Sequence, residues 1–393
     1  MLFYSYSLDI GRVMNYHITK NKIKKEKKVK KVLVLTSTLL LIGILGAIDF
    51  KYEGELLTRG AAYNNPYKND GGDINSRLRM GFDSNITNGL DFRAAFQIGE
   101  IYWGENNSGG NVGTNGVNVK TSELYLDYLM QSINTNIKIG LQYWADHRGL
   151  VLDDYFAGVM LNTDFEGINL QAGFLKNYEG FHYKHDDYTV LLGSLAATSP
   201  VDWGVNGFIG YNDIPDDGEV TLLPYATIEA GPATIDVNPF LCYQFIDGDD
   251  EIGIGASVKA GIDLTSIQLG ADVLFASENA LVTYSPYYQN GLFIYGINAI
   301  HDGLDLYWDR NLYDHNKDAF ISAVGSIRFP VTDKHTLFAA GGWLKDLGME
   351  LNGGIESQLV KDMLKLYLYG AWGKNDDSDV NNYATGASLQ LNF

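Results

Sequence analysis

From about residue 48 to the last residue, apolar and polar positions alternate with a period of two, the pattern of strands with one face against an apolar environment. "DINSRLRMGFDS" sets Leu78, Met80 and Phe82 against Arg77, Arg79 and Asp83; "LDFRAAFQIG" sets Phe92, Ala94, Phe96 and Ile98 against Asp91, Arg93, Ala95 and Gln97. "NIKIGLQY" and "EIGIGASVKAGIDL" repeat the pattern, with Lys138 and Lys259 on the polar side. The chain ends inside such a run. In "NNYATGASLQLNF", Tyr383, Thr385, Ala387, Leu389, Leu391 and Phe393 share one face, and Ala384, Gly386, Ser388, Gln390 and Asn392 take the other.

A soluble sandwich or propeller and a membrane barrel both fit period-two strands, and the connections separate them. Short turns such as "SNITNG", "QSINTN", "DFEGIN", "AGPA", "HDG" and "LVKD" alternate with mostly longer Asp-, Asn- and Gly-rich stretches such as "YNNPYKNDGGD", "GENNSGGNVGTNG", "ADHRGLVLDD" and "ASENALVTYSPYYQNG". Alternating loop lengths are the mark of a transmembrane barrel, with tight periplasmic turns and larger external loops. The expected fold class is therefore all-β, a transmembrane antiparallel up-and-down β-barrel of about 20 strands, with 18 also allowed, both termini periplasmic. Pro66, Pro200, Pro215, Pro232, Pro286 and Pro330 fall in expected connections, whereas Pro224 and Pro239 lie in consecutive strands and predict a local break in the ladder. Because a sheet spans hydrocarbon only if every backbone group is paired, the final strand should seal against the first, "IDFKYEGELL".

Composition changes the picture at the N-terminus. Residues 1–47 hold nine of the 29 Lys and Arg but only two of the 48 Asp and Glu, so the rest of the chain is strongly acidic and nucleic acid is excluded as a partner. "KNKIKKEKKVKK" followed by "VLVLTSTLLLIGILGA" has the layout of a secretory signal peptide, with Met14 an alternative start and cleavage near Gly46 or Ala47. The apolar run is short for a spanning helix, which is the competing reading. Two units follow, a signal peptide over 1–47 and one barrel domain over 48–393. The single cysteine, Cys242, rules out a disulfide framework and has no expected partner on its inner-face position.

The terminal run, with Phe393 preceded by apolar residues at alternate places (Tyr383, Leu389 and Leu391 among them), resembles the C-terminal signal of Gram-negative outer-membrane barrels, the segment read by the barrel-assembly machinery. Within that class the chain resembles the general porins and the alginate-export-like barrels. "INSRLRMGFDSNITNGLDFRAAFQIGE" and "GLQYWADHRGLVLDDYFAGVML" look like the paired early strands and the Arg-Gly, Asp-rich loop of the latter, although Leu141 precedes Gln142 where that group tends to have Arg. The resemblance implies the cell outer membrane, with lipid and lipopolysaccharide around the barrel and the general-porin homotrimer as one allowed assembly.

Barrels of about 16 to 18 strands leave an aqueous channel. No plug-sized domain precedes the strands, so the expected function is a passive porin for ions and small hydrophilic solutes. Its expected lumen residues are Arg77, Arg79, Arg93, Glu123, Asp127, Lys138, Asp236, Lys259, Asp272, Asp305, Arg328, Glu350, Glu356 and Lys365. Arg77, Arg79 and Arg93 are either wall charges paired with nearby carboxylates or a basic ladder that biases the pore toward anions. If Phe82 faces Phe92 across "SNITNG", Arg79 faces Ala95 and lies diagonal to Arg93.

Other chemistry is thin. His147, His182, His185 and His315 fall in expected outer loops where solvated His and Asp are the ordinary case, and "DGDDE" and "NDDSD" lack the spacing of a calcium loop. No metal or other cofactor is expected. Neither a G-x-S-x-G elbow nor a phosphate loop occurs, which argues against an enzyme. The alternative to a porin is a surface adhesin or structural barrel, with "LVTYSPYYQNG" as its contact surface; that segment would otherwise fold into the lumen as a constriction.

Overall fold

A computed structural model describes residues 49–65, 68–113, 118–178, 187–199, 201–213, 217–246, 249–301, 319–376 and 381–393. The strands are β1 (Asp49–Asn65), β2 (Lys68–Thr87), β3 (Leu90–Tyr102), β4 (Val119–Met130), β5 (Thr135–Ala145), β6 (Asp153–Phe165), β7 (Ile168–Tyr178), β8 (Tyr188–Ala197) and β9 (Asp202–Asn212). They continue as β10 (Asp217–Ala230), β11 (Ala233–Ile246), β12 (Asp249–Leu264), β13 (Ile267–Ala276), β14 (Phe320–Thr332), β15 (His335–Leu344), β16 (Gly348–Val360), β17 (Leu364–Asn375) and β18 (Asn381–Asn392). Each strand pairs antiparallel with its chain neighbours and β1 pairs with β18, so the 18-stranded sheet closes on itself. A closed sheet has no edge to satisfy elsewhere.

The alternating pattern sets the two faces. Leu124, Leu126, Ile139, Leu191, Ile209, Ile252, Ile254 and Leu351 stand exposed on the outside, where hydrocarbon rather than protein would cover them. At the seam, Phe393 exchanges backbone hydrogen bonds with Gly54 at 2.8 and 3.0 Å, and its ring lies over that glycine. A Cβ on Gly54 would sit 2.4 Å from the ring, so any larger residue there would push the terminal side chain aside. Tyr383 and Leu389 are exposed on the outer face of the same strand.

The closed sheet has eighteen strands rather than twenty because β13 pairs directly with β14, leaving no place in the barrel wall for the hairpin expected between them. Its first half, around Leu292–Ile300, is non-strand and lies inside the barrel, while 302–318, with Asp305, His315 and the last two residues of the "HDG" turn, falls outside the described residues. The leader, His182 and His185 also lie outside them. The expected loop "YNNPYKNDGGD" is instead largely strand, since β1 and β2 continue through it to Asn65 and from Lys68. Pro330 sits in β14 rather than in a turn, next to a register shift that lets the ladder tolerate it. Pro224 and Pro239 do interrupt pairing: the β10–β11 ladder passes from Leu222↔Leu241 to Ala226↔Val237, and Asn238 Nδ2 bonds the Pro224 carbonyl at 2.7 Å.

Candidate functional site

Two connecting segments fold into the barrel and meet there. Residues 146–152, between β5 and β6, run beside the segment that starts at 277, between β13 and β14. Tyr284 N and Tyr287 N donate to Val151 O and Gly149 O, both at 2.9 Å, and Asp153 N donates to Ser285 O at 2.8 Å. Together the segments carry Leu150, Val151, Leu152, Leu281, Leu292, Phe293, Ile294 and Tyr295, all buried. These pack on inward wall residues that include Phe156, Leu175, Val190, Phe208, Leu223, Phe240, Leu274 and Leu344. At roughly 1.5–3 kcal/mol per buried large side chain, this inner core is strong enough to hold the segments across the lumen.

Polar contacts then fix where the segments sit. Asp146 accepts from the backbone N–H groups of Arg148, Leu150, Val151 and Leu152 at 2.7–3.2 Å, curling its own segment; burial pushes its carboxyl up, against the pull of those four bonds. Glu350 of β16 reaches the N–H groups of Phe293, Ile294 and Tyr295 at 2.8, 2.9 and 3.0 Å. Buried backbone donors need such partners, so the carboxylate anchors the far end of the second segment. On the opposite side Arg148 binds Asp272 at 2.6 Å and Asp236 at 3.5 Å, His147 binds Asp236 and stacks on Tyr225, Tyr288 binds Asp272, and Tyr284 and Tyr188 bind Glu219. Burial and the charge of Arg59 push the His301 imidazole down to about 3, so it is neutral at ordinary pH.

The arginines of the first strands are also heavily paired. Arg93 meets Glu53, Asp83 and Glu123 at 2.6, 2.7 and 2.6 Å. Arg77 meets Glu55 at 3.2 Å and Glu100 at 3.6 Å, and Arg59 meets Glu100 at 2.6 Å. Arg79 bonds the Gln97 amide oxygen at 2.9 Å and has no ion pair among the described residues. The register differs from expectation: Phe82 faces Ala94, Arg79 faces Gln97, and Arg93 faces Asp83. Asp127 faces Lys138, whose ammonium lies 4.6 Å from the Tyr125 ring centre. Glu356 is shared by Arg328 and Lys365, the latter at 3.6 Å.

The expected lumen residues thus separate into groups. Arg77, Arg79, Arg93 and Glu123 come together on β2–β4, with Asp127 and Lys138 beside them. Arg328, Glu356 and Lys365 form a second cluster on β14, β16 and β17. Asp236 and Asp272 are turned to the inserted segments, and Glu350, only 1% exposed, is buried beneath one rather than open to water. His147 points inward, not outward, and Cys242 is buried with its sulfur accepting from the Thr221 hydroxyl at 3.2 Å. Sequence reasoning missed Arg59, Asp146, Arg148 and Glu219. The available signal was "YTVLLGSL" together with "DVLFA", apolar on both faces and therefore in need of a cover inside the barrel.

Below the inserted segments, toward the short-turn end, a cavity of about 660 Å³ is lined by Arg148, Tyr287, Lys259, Gln268, Ser326 and Arg328 among others.

No protein-family model and no curated protein matches the chain. Solved structures do. OccK3 (OpdO) of Pseudomonas aeruginosa superposes with a TM-score of 0.61 at 12% identity, over 88% of this chain and 96% of that one. OpdK of the same organism, solved with vanillate, gives 0.58 at 12% over 87% and 98%, and OccAB1 of Acinetobacter baumannii gives 0.59 at 10% over 88% and 97%. At these identities the likeness is one of fold.

Proposed function

We propose that the protein is an outer-membrane porin, a water-filled channel through which ions and small hydrophilic solutes diffuse. The observation that carries this reading is the closed 18-stranded barrel with a bare apolar exterior and a charged interior narrowed, but not replaced, by two anchored segments. Eighteen strands exceed what inward side chains fill. The solved OpdK structure contains vanillate, a small carboxylated solute, which fits passage of such molecules through this architecture. Arg77, Arg79, Arg93 and the other inward charges then line the route, and a channel rather than an enzyme is the activity we assign.

In this reading the short turns face the periplasm, and Tyr383, Leu389, Leu391 and Phe393 present the strand that the assembly machinery recognises. Purified protein should give discrete conductance steps in a planar bilayer. A sealed bilayer containing folded, heat-modifiable protein would overturn the porin. The membrane assignment has its own test: deleting Phe393 removes its two backbone hydrogen bonds to Gly54 and the ring over that glycine, and should leave the chain secreted but unassembled.

A further inference from the structure

Lys259 occupies an unusual electrostatic position. In the ladder it stands between two carboxylates, facing Asp236 on β11 and Asp272 on β13. Either would normally take its ammonium, because opposite charges on adjacent strands pair readily. Both are diverted. Asp236 accepts from His147, Thr227 and Arg148, and Asp272 from Arg148 and Tyr288, so the inserted segments consume the acceptors of the wall. Lys259 makes no hydrogen bond or ion pair among the described residues and is exposed to the 660 Å³ cavity.

The same cavity holds Arg328, which shares the single carboxylate of Glu356 with Lys365. The Ser326 hydroxyl and the amides of Gln268 and Gln289 add neutral donors; the carboxylates that also line the cavity are already engaged, Asp146 by four backbone N–H groups, Asp153 by the Tyr143 hydroxyl and Asp236 by His147, Thr227 and Arg148. We propose that this cavity is an anion subsite of the channel, with Lys259 as the recognition group, Arg328 as its second cation, and a small solute's carboxylate or phosphate as the ligand. The inference rests on the porin reading. It relocates anion recognition from the arginines of β2 and β3 to the wall of β12–β14, because the former are surrounded by more carboxylates than they can neutralise. An ammonium on a low-dielectric wall with no fixed partner draws counter-ions to its own level.

The test is the reversal potential of the full-length barrel under a KCl gradient, for wild type, Lys259→Gln and Lys259→Arg, each checked for heat-modifiable folding. Lys259→Gln should lower the chloride-to-potassium permeability ratio by roughly two- to five-fold, the scale of one unit charge acting over several ångströms in water, and Lys259→Arg should restore it. Titrating inorganic phosphate and, separately, acetate into the wild-type channel identifies which oxyanion the subsite holds, through a block that Lys259→Gln weakens. A conducting Lys259→Gln barrel with unchanged permeability ratio and unchanged block by both anions overturns the subsite while leaving the porin standing. Folded wild-type protein that passes no current overturns both.

Discussion

The wall built by β1–β4 and the side filled by the inserted segments start from similar residues and reach opposite outcomes. Both set basic side chains opposite Asp and Glu on neighbouring strands. On β1–β4 neither segment brings a donor to the arginines' carboxylates among the described residues, and Glu53, Glu55, Asp83, Glu100 and Glu123 outnumber Arg59, Arg77 and Arg93 in the ion pairs, while Arg79 takes Gln97. On β11–β13 the segments deliver Arg148, His147 and Tyr288 to Asp236 and Asp272, and the lysine between them is left with no hydrogen bond or ion pair among the described residues. Strand charges alone do not give the sign of a wall; what folds against it does.

The largest way to break the contrast is to detach a segment. Glu350→Ala strands three buried N–H groups, each worth roughly 1–3 kcal/mol when left unsatisfied. Residues 293–295 should then leave the wall, giving higher or noisier single-channel conductance and a lower unfolding temperature in detergent. Unchanged conductance and stability would mean that the apolar core holds the segment without the carboxylate.

Much of the barrel was legible because its cause is local. Period-two alternation, the sorted connections and the terminal strand ending at Phe393 each reflect one strand meeting lipid on one side, and the proline pair on β10 and β11 announced its own ladder break. The lumen was less legible because its contacts are long-range. The strand-like alternation of "LFIYGINAI" is satisfied by burial inside the barrel as well as by a spanning strand, which is how one hairpin too many enters the count. Glu350 and Asp272 are both inward acids by pattern, yet the partners of Glu350 on the second segment lie 55 to 57 residues away in sequence and the Arg148 that binds Asp272 lies 124 away. Arg148 carries no alternation at all, being in a segment whose position depends on Asp146 and on the second segment.

A smaller effect is expected from Arg93→Ala. It leaves Glu53, Asp83 and Glu123 facing one another without their shared cation; because Glu53 and Asp83 are well exposed, water offsets much of the repulsion and the stability loss should be about 1–2 kcal/mol. The reversal potential should move toward cations as three carboxylates lose their counter-charge. A move toward anions would show that this wall is not acidic in effect.

The smallest change, and the one that sharpens the comparison most, is Arg79→Gln. Arg79 is tied to Gln97 and to no carboxylate among the described residues, so its removal breaks no ion pair and should leave stability within about 0.5 kcal/mol, as for a typical substitution away from buried networks. Its charge is nonetheless unpaired, like that of Lys259, and the two differ in what surrounds them. Arg79 shares a cavity with Glu53, Glu55 and Glu123, whose charges offset its own a few ångströms away, whereas the acids beside Lys259 already face Arg148 and His147. The permeability ratio of Arg79→Gln should therefore shift by less than that of Lys259→Gln under the same gradient. A shift of equal or greater size would place anion recognition back on the arginines of β2, and the difference between the two walls would then be one of packing without a difference in charge.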